Sequence, residues 1–170
     1  MEEFGLELLI FSDSHGKADA MKEVLSRQVT RPDGVLFAGD GLRDAELLES
    51  EIPWYMVKGN CDWFGGERPD EIVMALGGHT LLLTHGHRYS VKGGLGALLR
   101  HAVEVEADVV VFGHTHRQEL RIVDAGEQVG AQVLQKPIYL FNPGSIGSSE
   151  QSFGTLTLRP DCVFFSHGAL

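Results

Sequence analysis

What most constrains this chain is a series of short apolar runs, each of which stops abruptly on Asp, His or Asn beside glycine. Leu6 to Phe11, Gly34 to Ala38, Trp54 to Val57 and Val109 to Phe112 are apolar almost throughout, the pattern of strands buried on both faces. Between the first two runs, Asp19 to Gln28 places Ala20, Met21, Val24 and Leu25 at helical spacing. After the second, Asp44 to Ser50 predicts a short helix, so the chain begins as a parallel α/β arrangement.

The pattern then changes. Glu71 to Leu76 and His79 to Leu83 flank Gly77-Gly78, a dipeptide suited to a tight hairpin. Leu95 to Glu104 predicts a helix, and strands are expected over Glu119 to Asp124, Gln128 to Leu134, Ile138 to Phe141, Thr155 to Leu158 and Cys162 to Ser166. These strands are too many for one flat sheet in a chain of 170 residues, which predicts two packed sheets with helices outside them. With 43% hydrophobic and 22% charged residues, that length suits one domain over residues 1–170.

Bulk chemistry removes several function classes. The formal net charge of -10 and the absence of a Lys/Arg cluster argue against gripping a nucleic-acid backbone. No window approaches the roughly 18 apolar residues of a membrane span. The opening Met1-Glu2-Glu3 is acidic where a secretory signal is basic, so a cytoplasmic protein is expected. Cys61 and Cys162 can form one bridge at most, and a core of this size needs none. A small molecule is therefore the expected partner, and a homo-oligomer is compatible with a sequence that carries no trace of assembly.

Five segments share one grammar: Phe11-Ser12-Asp13-Ser14-His15, Ala38-Gly39-Asp40-Gly41, Lys58-Gly59-Asn60-Cys61-Asp62, Thr84-His85-Gly86-His87 and Phe112-Gly113-His114-Thr115-His116. In open α/β sheets, loops beyond the carboxyl ends of the strands meet in one crevice. Asp13, His15, Asp40, Asn60, His85, His114 and His116 are thus expected to line a common cavity. Carboxylate, carboxamide and imidazole together suit two borderline divalent ions such as manganese, iron, nickel, cobalt or zinc, with manganese the expected cofactor among ions this donor set does not itself separate. Seven ligands exceed one ion, and a bridging carboxylate would give two ions about four ligands each. Asp40, with glycines on both sides, is the candidate bridge. Taken singly, Gly-Asp and Gly-Asn are ordinary turn dipeptides, and Asp13 before a helix is an ordinary cap. Five such segments, each at a strand end, are not explained by turn chemistry.

The ordered set Asp-x-His, Gly-Asp, Gly-Asn-x-Asp, His-Gly-His and Gly-His-x-His resembles the calcineurin-like metallophosphoesterase superfamily, in particular its small uncapped bacterial and archaeal phosphodiesterases. The resemblance runs from Phe11 to about Ser145. It implies a four-layered αββα sandwich of two mixed β-sheets. It further implies one metal on Asp13, His15, Asp40 and His116, and a second on Asp40, Asn60, His85 and His114. The implied reaction is in-line attack on a phosphodiester by a metal-bridging hydroxide, with Asn60, Asp62 and His87 as catalytic groups and Cys61 and His87 near the substrate. Many relatives carry His where this chain has Cys61, a departure that goes with diesters having good leaving groups. Asn142-Pro143-Gly144-Ser145 resembles the family's late turn beside the metals. Two other readings share these residues: a phosphomonoesterase or nucleotide phosphatase, and a non-catalytic scaffold resembling the metallophosphoesterase-fold subunit of the retromer coat.

Overall fold

Alternate residues of the first strand enter two different cores, and that division sets the architecture. In β1 (Leu6–Phe11), Leu8 and Ile10 join one apolar cluster while Leu9 and Phe11 join another, because successive strand side chains point to opposite faces. The computed structural model describes residues 5–170, so the Met1-Glu2-Glu3 opening lies outside the described residues.

The chain continues through α1 (Ala18–Ser26), β2 (Gly34–Phe37), α2 (Leu42–Leu48) and β3 (Trp54–Met56), then the hairpin β4 (Glu71–Leu76) and β5 (His79–Thr84). Two short 3-10 turns lead to α3 (Gly96–Glu104), followed by β6 (Val109–Val111), β7 (Gln118–Val123), β8 (Gln128–Val129) and β9 (Gln132–Val133). The last strands are β10 (Ile138–Pro143), β11 (Ser152–Arg159) and β12 (Cys162–Ala169). One five-stranded sheet runs β12-β11-β1-β2-β3 and the other β4-β5-β6-β10-β7. Both are mixed: β1, β2 and β3 are parallel, as are β5, β6 and β10, and the outer pairings are antiparallel.

Three apolar clusters fill the gaps between four layers. Leu8, Ile10, Leu36, Leu81, Leu83, Val109, Val111 and Phe141 lie between the sheets. Met21 and Val24 of α1 and Ala45 of α2 pack on Leu9, Phe11, Val35 and Phe37. Leu98 and Ala102 of α3 cover Leu82, Val110 and Leu140. The expected αββα sandwich is therefore the fold, two mixed β-sheets flanked by helices. Among the described residues, no helix is long and apolar enough to cross a membrane.

One expected strand divides. Gln128 to Leu134 is a small hairpin, β8 paired with β9, that belongs to neither large sheet. Val129, Ala131 and Val133 alternate as in a strand, but Gly130 adopts φ 58° and reverses the chain, a conformation that glycine enters without a Cβ clash.

Between the sheets, Phe141 is fully buried and stacks on Phe165, with centroids 4.3 Å apart and planes at 10°. Gly154 on the facing sheet makes room, since a Cβ there would come within 2.4 Å of the Phe141 ring. Removing the ring leaves a void that this rigid stack cannot close. Phe141→Ala is predicted to cost about 3–5 kcal/mol, measured as a lower urea midpoint with an unchanged slope.

Candidate metal centre

Backbone strain is concentrated where the sequence predicts ligands. Eight non-glycine residues among those described have positive φ, and Asp13 (55°), His15 (42°), Asp40 (60°), His114 (70°) and His116 (61°) are five of them. Each such conformation costs on the order of 1–3 kcal/mol and persists where the surroundings over-determine it. Here they do. The five ligand loops follow β1, β2, β3, β5 and β6, whose carboxyl ends meet at one edge of the sandwich.

Donor atoms converge in two groups, Asp13 with His15 and His116, and Asp40 with His85 and His114. His116 Nε2 lies 3.1 Å from Asp13 Oδ1 and 3.4 Å from His15 Nε2. In the second group, His85 Nε2 is 3.2 Å from Asp40 Oδ2 and 3.2 Å from His114 Nδ1. Ligands on one ion with bonds of about 2.1 Å sit roughly 3.0–3.4 Å from each other, so these spacings suit shared cations. Asp40 Oδ2 faces both groups, being also 3.9 Å from His15 Nε2. Asp13 Oδ1 is buried and accepts no hydrogen bond, although it lies 3.7 Å from His15 Nε2 and 3.9 Å from His85 Nε2. A bare buried carboxylate oxygen is costly without positive charge. The residues present therefore fit divalent metal ions.

Hydrogen bonds fix the direction of each donor. His85 Nδ1 donates to the Ala38 carbonyl at 2.7 Å, which leaves the Nε2 lone pair aimed at the centre. Asp13 turns Oδ2 toward the Ser12 hydroxyl and the His114 N–H. Asp40 accepts from the Cys61 N–H at 2.8 Å through Oδ1, which frees Oδ2. Burial alone would raise the Asp40 carboxyl, but the hydrogen bond and charge of His85 and the Cys61 N–H reverse this and hold it well below the carboxylate range. Burial opposes the His85 imidazolium too, and Asp40 and Asp13 overcome it, so that ring titrates above its ordinary value. His114 titrates below its ordinary value through burial and the nearby charges of His85 and Lys92.

Two glycines are required by close approach. A Cβ on Gly59 would come within 2.1 Å of Asp40 Oδ1, and one on Gly113 within 2.0 Å of Ser12 Oγ. Asp62 closes the loops on each other: its carboxylate accepts from the N–H groups of Asp40, Gly41, Leu42 and Gly59 at 2.8–2.9 Å. The late turn ties in the other side. Asn142 donates to the Gly113 carbonyl and the Thr115 hydroxyl, and Ser145 donates to the Asp13 carbonyl.

The remaining predicted groups lie at the rim. Asn60 is exposed, with Nδ2 3.5 Å from Cys61 Sγ. The Cys61 sulfur lies within 4.8 Å of the His15 and Asp40 donors. Burial raises that thiol, and the charges of Asp40, Asp62 and Asp13 raise it further, which keeps it protonated. His87 stands beside His85 and His114, with ring centroids 5.4 and 6.1 Å away, and its buried Nδ1 has no partner among the described residues. Burial and the charge of His85 lower its titration, so it is neutral near pH 7. Trp63 and Phe64 wall a cleft with His15 and Cys61, whereas Trp54 is buried in the helix-side core. His79, His101 and His167 bond to Asp108, Glu71 and the Asn142 carbonyl, away from the centre. Two groups carried no signal of their own in the sequence. Asp44 accepts from Ser14 Oγ and the Gly16 N–H and pins the first ligand loop, and Ser12 orients Asp13. An excess of short polar residues around Asp13 was the one available cue.

Residues 6–161 match the family model described as the calcineurin-like phosphoesterase superfamily domain. This chain belongs to that superfamily. The probable metallophosphoesterase YsnB of Bacillus subtilis is 33% identical to this phosphoesterase over 162 residues, 93% of this chain and 88% of that one. A conserved protein from Streptococcus pneumoniae, described as a predicted phosphoesterase, superimposes with a TM-score of 0.74 at 25% identity, covering 99% of this chain and 91% of its own. Vacuolar Protein Sorting 29 from Cryptosporidium parvum shares the fold, with a TM-score of 0.72 at 20% identity over 99% of this chain and 100% of its own.

A metal held by His85 Nε2 would have to displace a proton whose pKa is raised, so loading is predicted to weaken as pH falls through that value. His114, already neutral there, adds no competing proton until lower pH. Manganese titration by calorimetry should show affinity falling by up to about tenfold per pH unit below the midpoint; affinity unchanged from pH 7.5 to 5.5 would contradict the assignment of His85 as a ligand.

Proposed function

We propose that this phosphoesterase is a dinuclear metal-dependent phosphodiesterase acting on a small-molecule phosphate ester. The observation that carries this reading is Asp40 Oδ2, which faces both donor groups at once. In this reading one metal is held by Asp13, His15, Asp40 and His116 and the other by Asp40, Asn60, His85 and His114. Manganese is our preferred ion, and nickel, iron, zinc and cobalt are compatible with the same donors. Bound there, two such ions would supply Lewis acidity and activation of a water.

The chain's own residues supply geometry and charge. Asp13 and Asp40 provide fixed negative charge, and the Ala38 carbonyl sets the tautomer of His85. Asn60 and His87 border the space where the phosphoryl group sits and can donate to its oxygens. Asp62 acts by holding the Asp40 and Asn60 loops in register. Neither neighbour is suited to protonating the leaving group, since the Cys61 thiol is a weak acid here and His87 is neutral at rest. Leaving-group protonation then falls to water, which favours diesters with good leaving groups. The free cysteines accord with a cytoplasmic location, and we read residues 1–170 as one catalytic domain.

The fold likeness to Vacuolar Protein Sorting 29 supports a second reading, a non-catalytic scaffold. A phosphomonoesterase or nucleotide phosphatase would use the same centre. Metal-dependent turnover separates these readings. Asp40→Ala and His114→Ala are each predicted to lower hydrolysis of bis(p-nitrophenyl) phosphate by at least about a hundredfold, with circular dichroism unchanged. The wild-type protein should prefer that diester to p-nitrophenyl phosphate. Inactivity under every metal would favour the scaffold, and a monoester preference would favour the phosphatase.

A further inference from the structure

Two clefts flank the candidate metal centre, one lined by His15 and the other by Thr115, and their linings differ in kind. The first, about 380 Å³, is formed by loops after β1, β2 and β3 and lined by His15, Cys61, Arg43, Trp63 and Phe64. Trp63 and Phe64 are 84% and 82% exposed. Two adjacent large rings held in solvent beside a polar centre are a surface suited to a flat apolar group. The Arg43 guanidinium stands 5.4 Å from the centroid of Phe64, a cation–π contact that adds a charged group to the same wall.

The second cleft, about 590 Å³, lies on the β6 and β7 side and is lined by Lys92, Thr115, Arg117, Glu119 and Arg121 among others. Thr115 is the residue between His114 and His116. Glu119 is the carboxylate of this lining, and none of Lys92, Arg117 and Arg121 has a carboxylate within 4.0 Å among the described residues. In a chain of net charge -10, three unpaired cations at one cleft beside a ligand loop mark a place for negative charge.

We propose that the ligand spanning these clefts is of the nucleotide type, a small phosphoester with a planar aromatic group on one side and a further anionic group on the other. The aromatic group stacks against Trp63 and Phe64, the scissile phosphorus sits at the metal centre, and Lys92, Arg117 and Arg121 meet the second anion. This rests on the phosphodiesterase reading for its chemistry, which is plain hydrolysis. Water oxygen bonds to phosphorus, the P–O bond to the leaving group breaks, and the two water protons divide between the products. A polynucleotide is disfavoured because its many phosphates would approach an acidic protein.

The test is calorimetric titration of the manganese-saturated protein with α,β-methylene-ADP, methylenediphosphonate, adenosine and a ten-residue oligothymidylate. Methylene-ADP is predicted to bind at least about tenfold more tightly than methylenediphosphonate, since one stacked base contributes about that factor, and more tightly than adenosine, which lacks the anionic groups that meet the metal centre and the cationic cleft. The double variant Trp63→Ala/Phe64→Ala should lower methylene-ADP affinity to that of methylenediphosphonate. Arg117→Ala/Arg121→Ala should weaken methylene-ADP while leaving adenosine unchanged. Because Trp54 is buried and Trp63 exposed, quenching of the wild-type fluorescence on adding methylene-ADP reports stacking directly. Equal binding of methylene-ADP and methylenediphosphonate, insensitivity to both double variants, or tighter binding of the oligonucleotide would each overturn the proposal. Nucleotide binding without turnover of any ester would sink the phosphodiesterase reading while leaving this site in place. Turnover of bis(p-nitrophenyl) phosphate without nucleotide preference would do the reverse.

Discussion

Two carboxylates, Asp13 and Asp40, are buried at the ends of adjacent parallel strands, and both approach the same nitrogen of His85. Like charges so placed are tolerated where positive charge is at hand, because removing each from water costs several kcal/mol. Imidazoles supply part of it. The depressed titration of Asp40 and the elevated titration of His85 are two views of the same attraction. Asp13 Oδ1 still faces the centre without a hydrogen bond. That uncompensated atom is the strongest structural reason to place cations here.

The surrounding loops follow from this requirement. To point inward from strand ends, five predicted ligands adopt backbone conformations that side-chain-bearing residues avoid. Such strain is held by bonds to the main chain, with Asp62 gripping four N–H groups from two loops and Ser145 gripping the Asp13 carbonyl. The sandwich beneath is rigid for ordinary reasons, since three apolar clusters and the Phe141 stack fix the sheets. The candidate donors are thus gathered at one edge, where loops from both sheets meet.

Much of this was legible in the chain. The runs ending at Phe11, Ala38 and Phe112 announced buried strands because strands with helices on one side and a second sheet on the other are apolar on both faces. The candidate donor positions stood out because each closely follows such a run. The hairpin at Gly130 was not, since alternation over Val129 to Val133 imitates one strand and only a positive φ undoes it. Asp62 shows a different limit: its motif position placed it at the site, but its grip on four backbone N–H groups, through contacts up to 22 residues away, has no sequence signature. Asp44, Arg43 and Lys92 act across loops brought together by the fold, and no spacing rule points to them.

The central claim is that one oxygen of Asp40 is common to two cation sites. Anomalous diffraction from manganese-soaked crystals tests it most directly. Two peaks about 3.5–4 Å apart, with Asp40 between them and Asp13 on one side, are the predicted result. A single peak, or peaks that leave Asp40 uncoordinated, would contradict the account.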